Sequence, residues 1–219
     1  MCGDLGAAPC PLCSADLRPP PSLPPPPNVD SCRALFAYEG AGRELVARLK
    51  YRNARSSLPF LAEGLADLVT RSEWTVDVVT WAPTTAARRR QRGFDQAELL
   101  ARALARRLRV PCRRLLRRPP GGPQTGQPLG VRRTGPVFHA ARPSPPRVLL
   151  VDDVVTSGAT VAAAARSLRA AGAGQIHVVA AARTAPDRHL PWPGLHSQRV
   201  AVCGSVVESR GQSQAKRPT

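Results

Sequence analysis

Residues 147–160, RVLLVDDVVTSGAT, constrain this chain more than any other stretch. Val148, Leu149, Leu150 and Val151 form a short continuous apolar run. Such a run fits a strand buried on both faces, as in a parallel sheet. Two carboxylates, Asp152 and Asp153, follow directly, then Thr156, Ser157, Gly158, Ala159 and Thr160. Beyond them Val161, Ala164, Leu168 and Ala171 recur at helical spacing. The order is strand, acidic pair, hydroxyl-rich turn, helix. It predicts an α/β domain with a mainly parallel sheet flanked by helices.

The turn has the makings of an anion site. Backbone N–H groups and the helix dipole would face a phosphate, and Gly158 would let the backbone come close. The hydroxyls of Thr156, Ser157 and Thr160 can donate to phosphate oxygens. The two carboxylates would repel that phosphate, so they must serve something beside it: a hard cation such as Mg²⁺, or the hydroxyls of a sugar. A phosphate-receiver domain would also need a lysine near the pocket, and the only lysines are Lys50 and Lys216. The P-loop spacing G-x-x-x-x-G-K-[ST] does not occur.

A phosphate beside vicinal hydroxyls and Mg²⁺ describes phosphoribosyl pyrophosphate (PRPP). The run VLLVDDVVTSGAT resembles the PRPP-binding signature of type I phosphoribosyltransferases. That resemblance implies that Asp152 and Asp153 contact the ribose hydroxyls with Mg²⁺ near them. It also implies that residues 156–160 bind the 5′-phosphate.

The chain has 219 residues, enough for one α/β domain with small additions. No apolar run reaches the ~20 residues of a membrane span. The N-terminus lacks the basic-then-apolar order of a signal peptide, so a cytoplasmic location is expected. Net charge is +17, from 32 basic and 15 acidic residues. Arginine clusters at 88–92, 113–118 and 132–133 could hold phosphate or nucleic acid, or form a solvated face. Aromatic residues are only 4% of the chain, so stacking platforms for single-stranded DNA are scarce.

Three parts are expected. Residues 1–32 carry Cys2, Cys10 and Cys13, the last two as C-x-x-C, and then a proline-rich linker. In a cytoplasmic chain this spacing reads as zinc rather than a disulfide. A structural zinc takes four ligands, and only three cysteines lie close together. Residues 33–184 form the main domain. They hold a strand and a helix with Leu45, Val46 and Leu49, then a helix with Leu58, Leu61, Leu65 and Val69. A strand over 76–81 ends in a turn with Pro83, Thr84 and Thr85, followed by Arg88 and its neighbours. That strand end is a second candidate anion site. Arg92, Gly93, Phe94, Asp95 and Gln96 open the next helix, with Asp95 as its N-cap. A strand is expected over 110–118 and a short edge strand over 137–142. Between them, residues 119–136 are rich in Pro, Gly and Arg and read as a functional loop or a linker, with Gln124, Arg132 and Arg133 as its candidate contacts. A buried strand over 176–182 completes the domain, and residues 185–219 are expected to be a partly disordered extension.

YEGAGRELVARLKYR, the proline turn, RRRQRGFDQAELLA, QTGQ with paired arginines, and the PRPP signature together resemble the ComF family. These are phosphoribosyltransferase-like proteins linked to DNA uptake in competent bacteria. The resemblance implies pyrophosphate contact at Pro83, Thr84, Thr85 and Arg88, and a loop at 119–136 that closes over PRPP. It also implies DNA-uptake proteins or single-stranded DNA as partners. Two departures are visible: the turn reads WAPTT where the family reads close to PVPLH, and the N-terminal knuckle has three cysteines rather than four.

Overall fold

The computed structural model describes residues 9–51, 55–119 and 136–185. Helix α1 (Pro11–Ala15) is followed by strand β1 (Ser31–Ala37), helix α2 (Gly40–Tyr51) and helix α3 (Leu58–Arg71). Strand β2 (Val78–Trp81) leads through a turn into the short helix α4 (Ala86–Arg92) and then α5 (Gln96–Leu108). Strands β3 (Leu116–Arg117) and β4 (His139–Ala140) precede β5 (Arg147–Val155), α6 (Ala159–Ala170) and β6 (Gln175–Arg183).

Strands β1, β6, β5 and β2 form one sheet in that order, and every pairing is parallel. Residue alternation along β5 assigns its two faces. Val148 and Leu150 share a core with Val161, Ala164 and Leu168 of α6. Leu149 and Val151 share another with Leu45, Leu61, Leu65, Leu100 and Leu104 of α2, α3 and α5. All these side chains are at most 1% exposed. Each buried Leu or Val contributes about 1.5–3 kcal/mol, so the two layers together fix the sheet between its helices.

Three strand expectations need revision. Strand β5 runs to Val155 instead of stopping at Val151, because Asp152, Val154 and Val155 still pair with Ala180, Ala182 and Arg183 of β6. Both carboxylates therefore lie inside the strand. Strand β2 starts at Val78: the Asp77 N–H still donates to the Arg147 carbonyl, but the Arg147 N–H and guanidinium turn to the Asp77 carboxylate, and the backbone ladder goes no further. The stretch 110–118 is not one strand. Cys112 makes a single parallel bridge to Val79, and the chain then departs to pair Leu116 and Arg117 with Ala140 and His139 in an antiparallel ribbon. Pro111 has no N–H to extend a ladder, so the bridge stays short.

The proline-rich run lies against the domain. Arg183, only 2% exposed, donates to the carbonyls of Leu23 and Pro24 at 3.2 and 2.8 Å. The Asp30 carboxylate takes the Ile176 N–H and the Arg169 guanidinium, both at 2.6 Å. Cys32 lies within β1 opposite Val178. Cys10 caps α1 and Cys13 is buried within it. Cys2, most of the 119–136 segment with Gln124, Arg132 and Arg133, and nearly all of the 185–219 extension lie outside the described residues.

Candidate active site

In an open parallel sheet, ligands bind beyond the carboxyl ends of the strands. Here the ends of β1, β5 and β2 border a cleft of about 230 Å³. Asp152, Asp153, Thr156 and Thr160 form one wall of it. Pro83, Thr84 and Arg88 form another, with Arg92 and Gln96 from the junction of α4 and α5. The two stretches that sequence reading singled out, 64 positions apart at Arg88 and Asp152, thus meet in one cavity.

Asp152 is buried, at 8% exposure, while Asp153 is half-buried, as alternation along a strand requires. The Asp152 carboxylate accepts from the Asp153 N–H at 2.9 Å. Past Val155 the chain turns through exposed Thr156 and Ser157 to Gly158, whose φ is +75°. That left-handed geometry favours glycine and swings the chain into α6, with Gly158 as its N-cap. No side chain caps α6, and the Ala159 N–H makes only a long contact, 3.4 Å, to the Ser157 hydroxyl. The backbone donors of this turn are therefore suited to an anion.

The opposite wall is braced by α5. Asp95 is its N-cap: one carboxylate oxygen accepts from the N–H groups of Ala97 (3.2 Å) and Glu98 (3.5 Å). The other accepts from the Thr84 N–H at 2.9 Å. Burial pushes the Asp95 carboxyl above its ordinary range, against the pull of those three bonds and with a push from Glu98. Thr85 caps α4 by accepting from the Arg88 N–H at 3.2 Å. Thr85 is thus a turn residue rather than a cleft residue. Gly93 has φ +79° and ends α4, and Phe94 is half-buried; neither lines the cleft.

Two cleft residues with polar side chains were not among the candidates from sequence. Tyr38 directly follows β1, and its position after a parallel strand was an available signal. Arg118 belongs to a noted arginine cluster, but nothing in the sequence distinguishes it from Arg113, Arg114 or Arg117. Its place is set by the β3–β4 ribbon, where its guanidinium lies 5.6 Å from the Phe138 ring centroid. Burial lowers the Arg118 pKa, and Arg88 lowers it further, while Asp152 and Asp95 raise it. Two arginines thus repel each other across a cavity that an anion would neutralise.

For a divalent cation the donor set is limited. Among the described residues no three His, Cys, Asp or Glu side chains cluster as a metal cage. Two carboxylates at the edge of a polar cleft do suit Mg²⁺, which is held by one or two carboxylates together with substrate phosphates.

Residues 95–193 match the family described as phosphoribosyl transferase domain. The fold is phosphoribosyltransferase-like. The matched span runs from the cap of α5 through the Gly158 turn and past β6. No curated protein matches the chain. One similar solved structure is titled as the allosteric regulatory enzyme of purine biosynthesis, with 25% identity and a TM-score of 0.40. That match covers 57% of this chain and 25% of the other. Another is a purine phosphoribosyltransferase from Pyrococcus horikoshii Ot3, with 16% identity and a TM-score of 0.37, covering 62% of this chain and 78% of the other. Among the described residues no helix is long and apolar enough to cross a membrane.

Proposed function

We propose that this chain is a ComF-type phosphoribosyltransferase that binds PRPP with Mg²⁺ in the cytoplasm and transfers its phosphoribosyl group to an acceptor. The observation that carries the reading is the meeting of Asp152 and Asp153 with Arg88 and Arg118 around one cleft, next to the Gly158 turn. The turn at 156–160 holds the 5′-phosphate through its N–H groups and hydroxyls. Asp152 and Asp153 accept hydrogen bonds from the ribose hydroxyls. Pro83 shapes the turn beside the pyrophosphate, the Thr84 hydroxyl donates to it, and Arg88, Arg92 and Arg118 neutralise it.

The acceptor's nucleophile forms a bond to ribose C1 as the bond from C1 to the pyrophosphate oxygen breaks, and pyrophosphate leaves with the electron pair. Positive charge grows on the ribose ring while negative charge grows on the leaving oxygen. The carboxylates favour the first and the arginines the second, so both walls act more strongly in the transition state than before it. Mg²⁺, when bound through Asp152 or Asp153, supplies further charge neutralisation on the phosphate oxygens. The direct test is incubation with PRPP, Mg²⁺ and a panel of nucleobases and amines, with released pyrophosphate measured. Acceptor-dependent release supports transfer, and no release with any acceptor argues against it.

A second reading draws on the exposed arginines. Arg89 and Arg90 on α4, and Arg113, Arg114 and Arg117 near β3, are all exposed. They would bind single-stranded DNA electrostatically and place the protein in DNA uptake without catalysis. Single-stranded DNA affinity that falls steeply with salt, and drops in Arg89→Ala/Arg90→Ala, would favour it. Zinc at Cys2, Cys10 and Cys13 belongs to the same ComF-type reading.

A further inference from the structure

Gln96 is the first residue of α5 and lines the cleft, yet its side chain is almost fully enclosed, at 2% exposure. Its Oε1 accepts from an Arg92 guanidinium nitrogen at 3.2 Å. Its Nε2 is buried and has no hydrogen-bond partner among the described residues. The amide cannot be turned over to satisfy Nε2, because a guanidinium only donates and would then face another donor. A buried orphan donor costs stability, and an apolar side chain of the same size would avoid that cost. A glutamine in this position is therefore poorly explained by packing alone.

We infer that Gln96 is a positioning residue: its carbonyl oxygen holds the Arg92 guanidinium in the wall of the cavity that Arg88 and Arg118 also line, for a pyrophosphate group. The placement supports this group rather than the ribose 5-phosphate. Gln96 follows Asp95, whose carboxylate is bonded to Thr84 in the turn beside Arg88. Successive residues at the head of α5 thus hold the turn and the arginine of the same wall. Arg92 sits in the last turn of a seven-residue helix and bears a long side chain with many rotamers. Fixing one of them in advance lowers the cost of binding. This inference rests on the phosphoribosyltransferase reading for the identity of the ligand.

The test is calorimetric titration of the full chain with inorganic pyrophosphate, PRPP and ribose 5-phosphate. The proteins are the parent, Gln96→Met, Arg92→Ala and the double variant. Methionine keeps the volume and removes both the carbonyl and the orphan donor. In Gln96→Met, pyrophosphate and PRPP should bind about tenfold more weakly, ribose 5-phosphate should be unchanged, and the melting temperature should stay level or rise. In the Arg92→Ala background the same substitution should change pyrophosphate binding by less than about twofold, since the coupled partner is gone. Unchanged pyrophosphate affinity in Gln96→Met overturns the inference. So does an equal loss with and without Arg92, or a fall in melting temperature with loss of ribose 5-phosphate binding. A parent that binds neither pyrophosphate nor PRPP removes both this inference and the proposed function. A parent that binds pyrophosphate with this coupling, but not PRPP, removes only the latter.

Discussion

The Asp95 carboxylate bonds the Thr84 N–H at 2.9 Å while it caps α5, and so ties the turn after β2 to the helix that packs on the sheet. Asp95→Ala removes the cap and the tie together. It should cost about 1–2 kcal/mol in urea unfolding, as expected for loss of a strong N-cap, and weaken pyrophosphate binding as well. Asp95→Asn can keep the cap but turns its amide donor toward Thr84. It should lose less stability than Asp95→Ala yet still bind pyrophosphate more weakly than the parent. Equal pyrophosphate affinity in all three proteins would break the proposed link between turn and helix.

Gly158 is tested by its backbone geometry. Its φ of +75° costs a β-branched residue roughly 1–2 kcal/mol in strain alone, so Gly158→Val should unfold at lower urea. Binding of ribose 5-phosphate should fall as well, because the side chain stands where the phosphate approaches. Gly158→Asn should be milder, since Asn tolerates the left-handed region. A Gly158→Val protein that keeps both stability and ribose 5-phosphate affinity would remove this turn from the site.

The sequence announced the parts of the site with local chemistry and missed those with none. The apolar run before Asp152 forms a buried strand and the carboxylate before α5 is its N-cap, both as the residues predict, while Gly158 has the left-handed φ that a turn into α6 requires. The length of β5 was misread because Asp152 and Asp153 look like the end of a strand, while their backbones remain paired to β6 regardless of side chain. Arg118 was one of several arginines in a row, and only the register of the β3–β4 ribbon singles it out. Gln96 stood among the candidates at the start of α5, but its pairing was not legible, because it depends on an arginine one helical turn away across the junction of two helices.

His177 gives a pH prediction. Its ring stacks on Trp74 with centroids 4.4 Å apart, and it is only 9% exposed. Burial lowers its pKa below the ordinary 6.5; Asp30 opposes that and Arg169 adds to it. A histidine with a depressed folded value binds fewer protons folded than unfolded. Its stability contribution is therefore full above pH 6.5 and is lost as pH falls through the lower folded value. Melting temperature should drop between pH 7 and pH 5 in the parent and drop less in His177→Phe, which keeps a ring against Trp74. Identical slopes in the two proteins would rule His177 out as the source.

The N-terminal cysteines are tested by metal analysis. Arg18 already supplies a backbone carbonyl to the Ala37 N–H, so a deletion should stop before it. Removing residues 1–16 should abolish any bound zinc, at most one per chain, and leave the sheet folded by circular dichroism. Stoichiometric zinc in the shortened protein would contradict zinc binding at Cys10 and Cys13.

The central claim is that Asp152 and Asp153 face PRPP in this cleft, and calorimetric titration of PRPP with Mg²⁺ into the parent and Asp152→Asn/Asp153→Asn tests it most directly. The substitution keeps size and removes charge, so both proteins should be folded. The parent should bind PRPP, and the variant should bind at least ~2 kcal/mol more weakly, about thirtyfold, as expected when hydrogen bonds to charged groups are lost. A variant that binds PRPP as tightly as the parent, or a parent that does not bind it at all, would contradict the account.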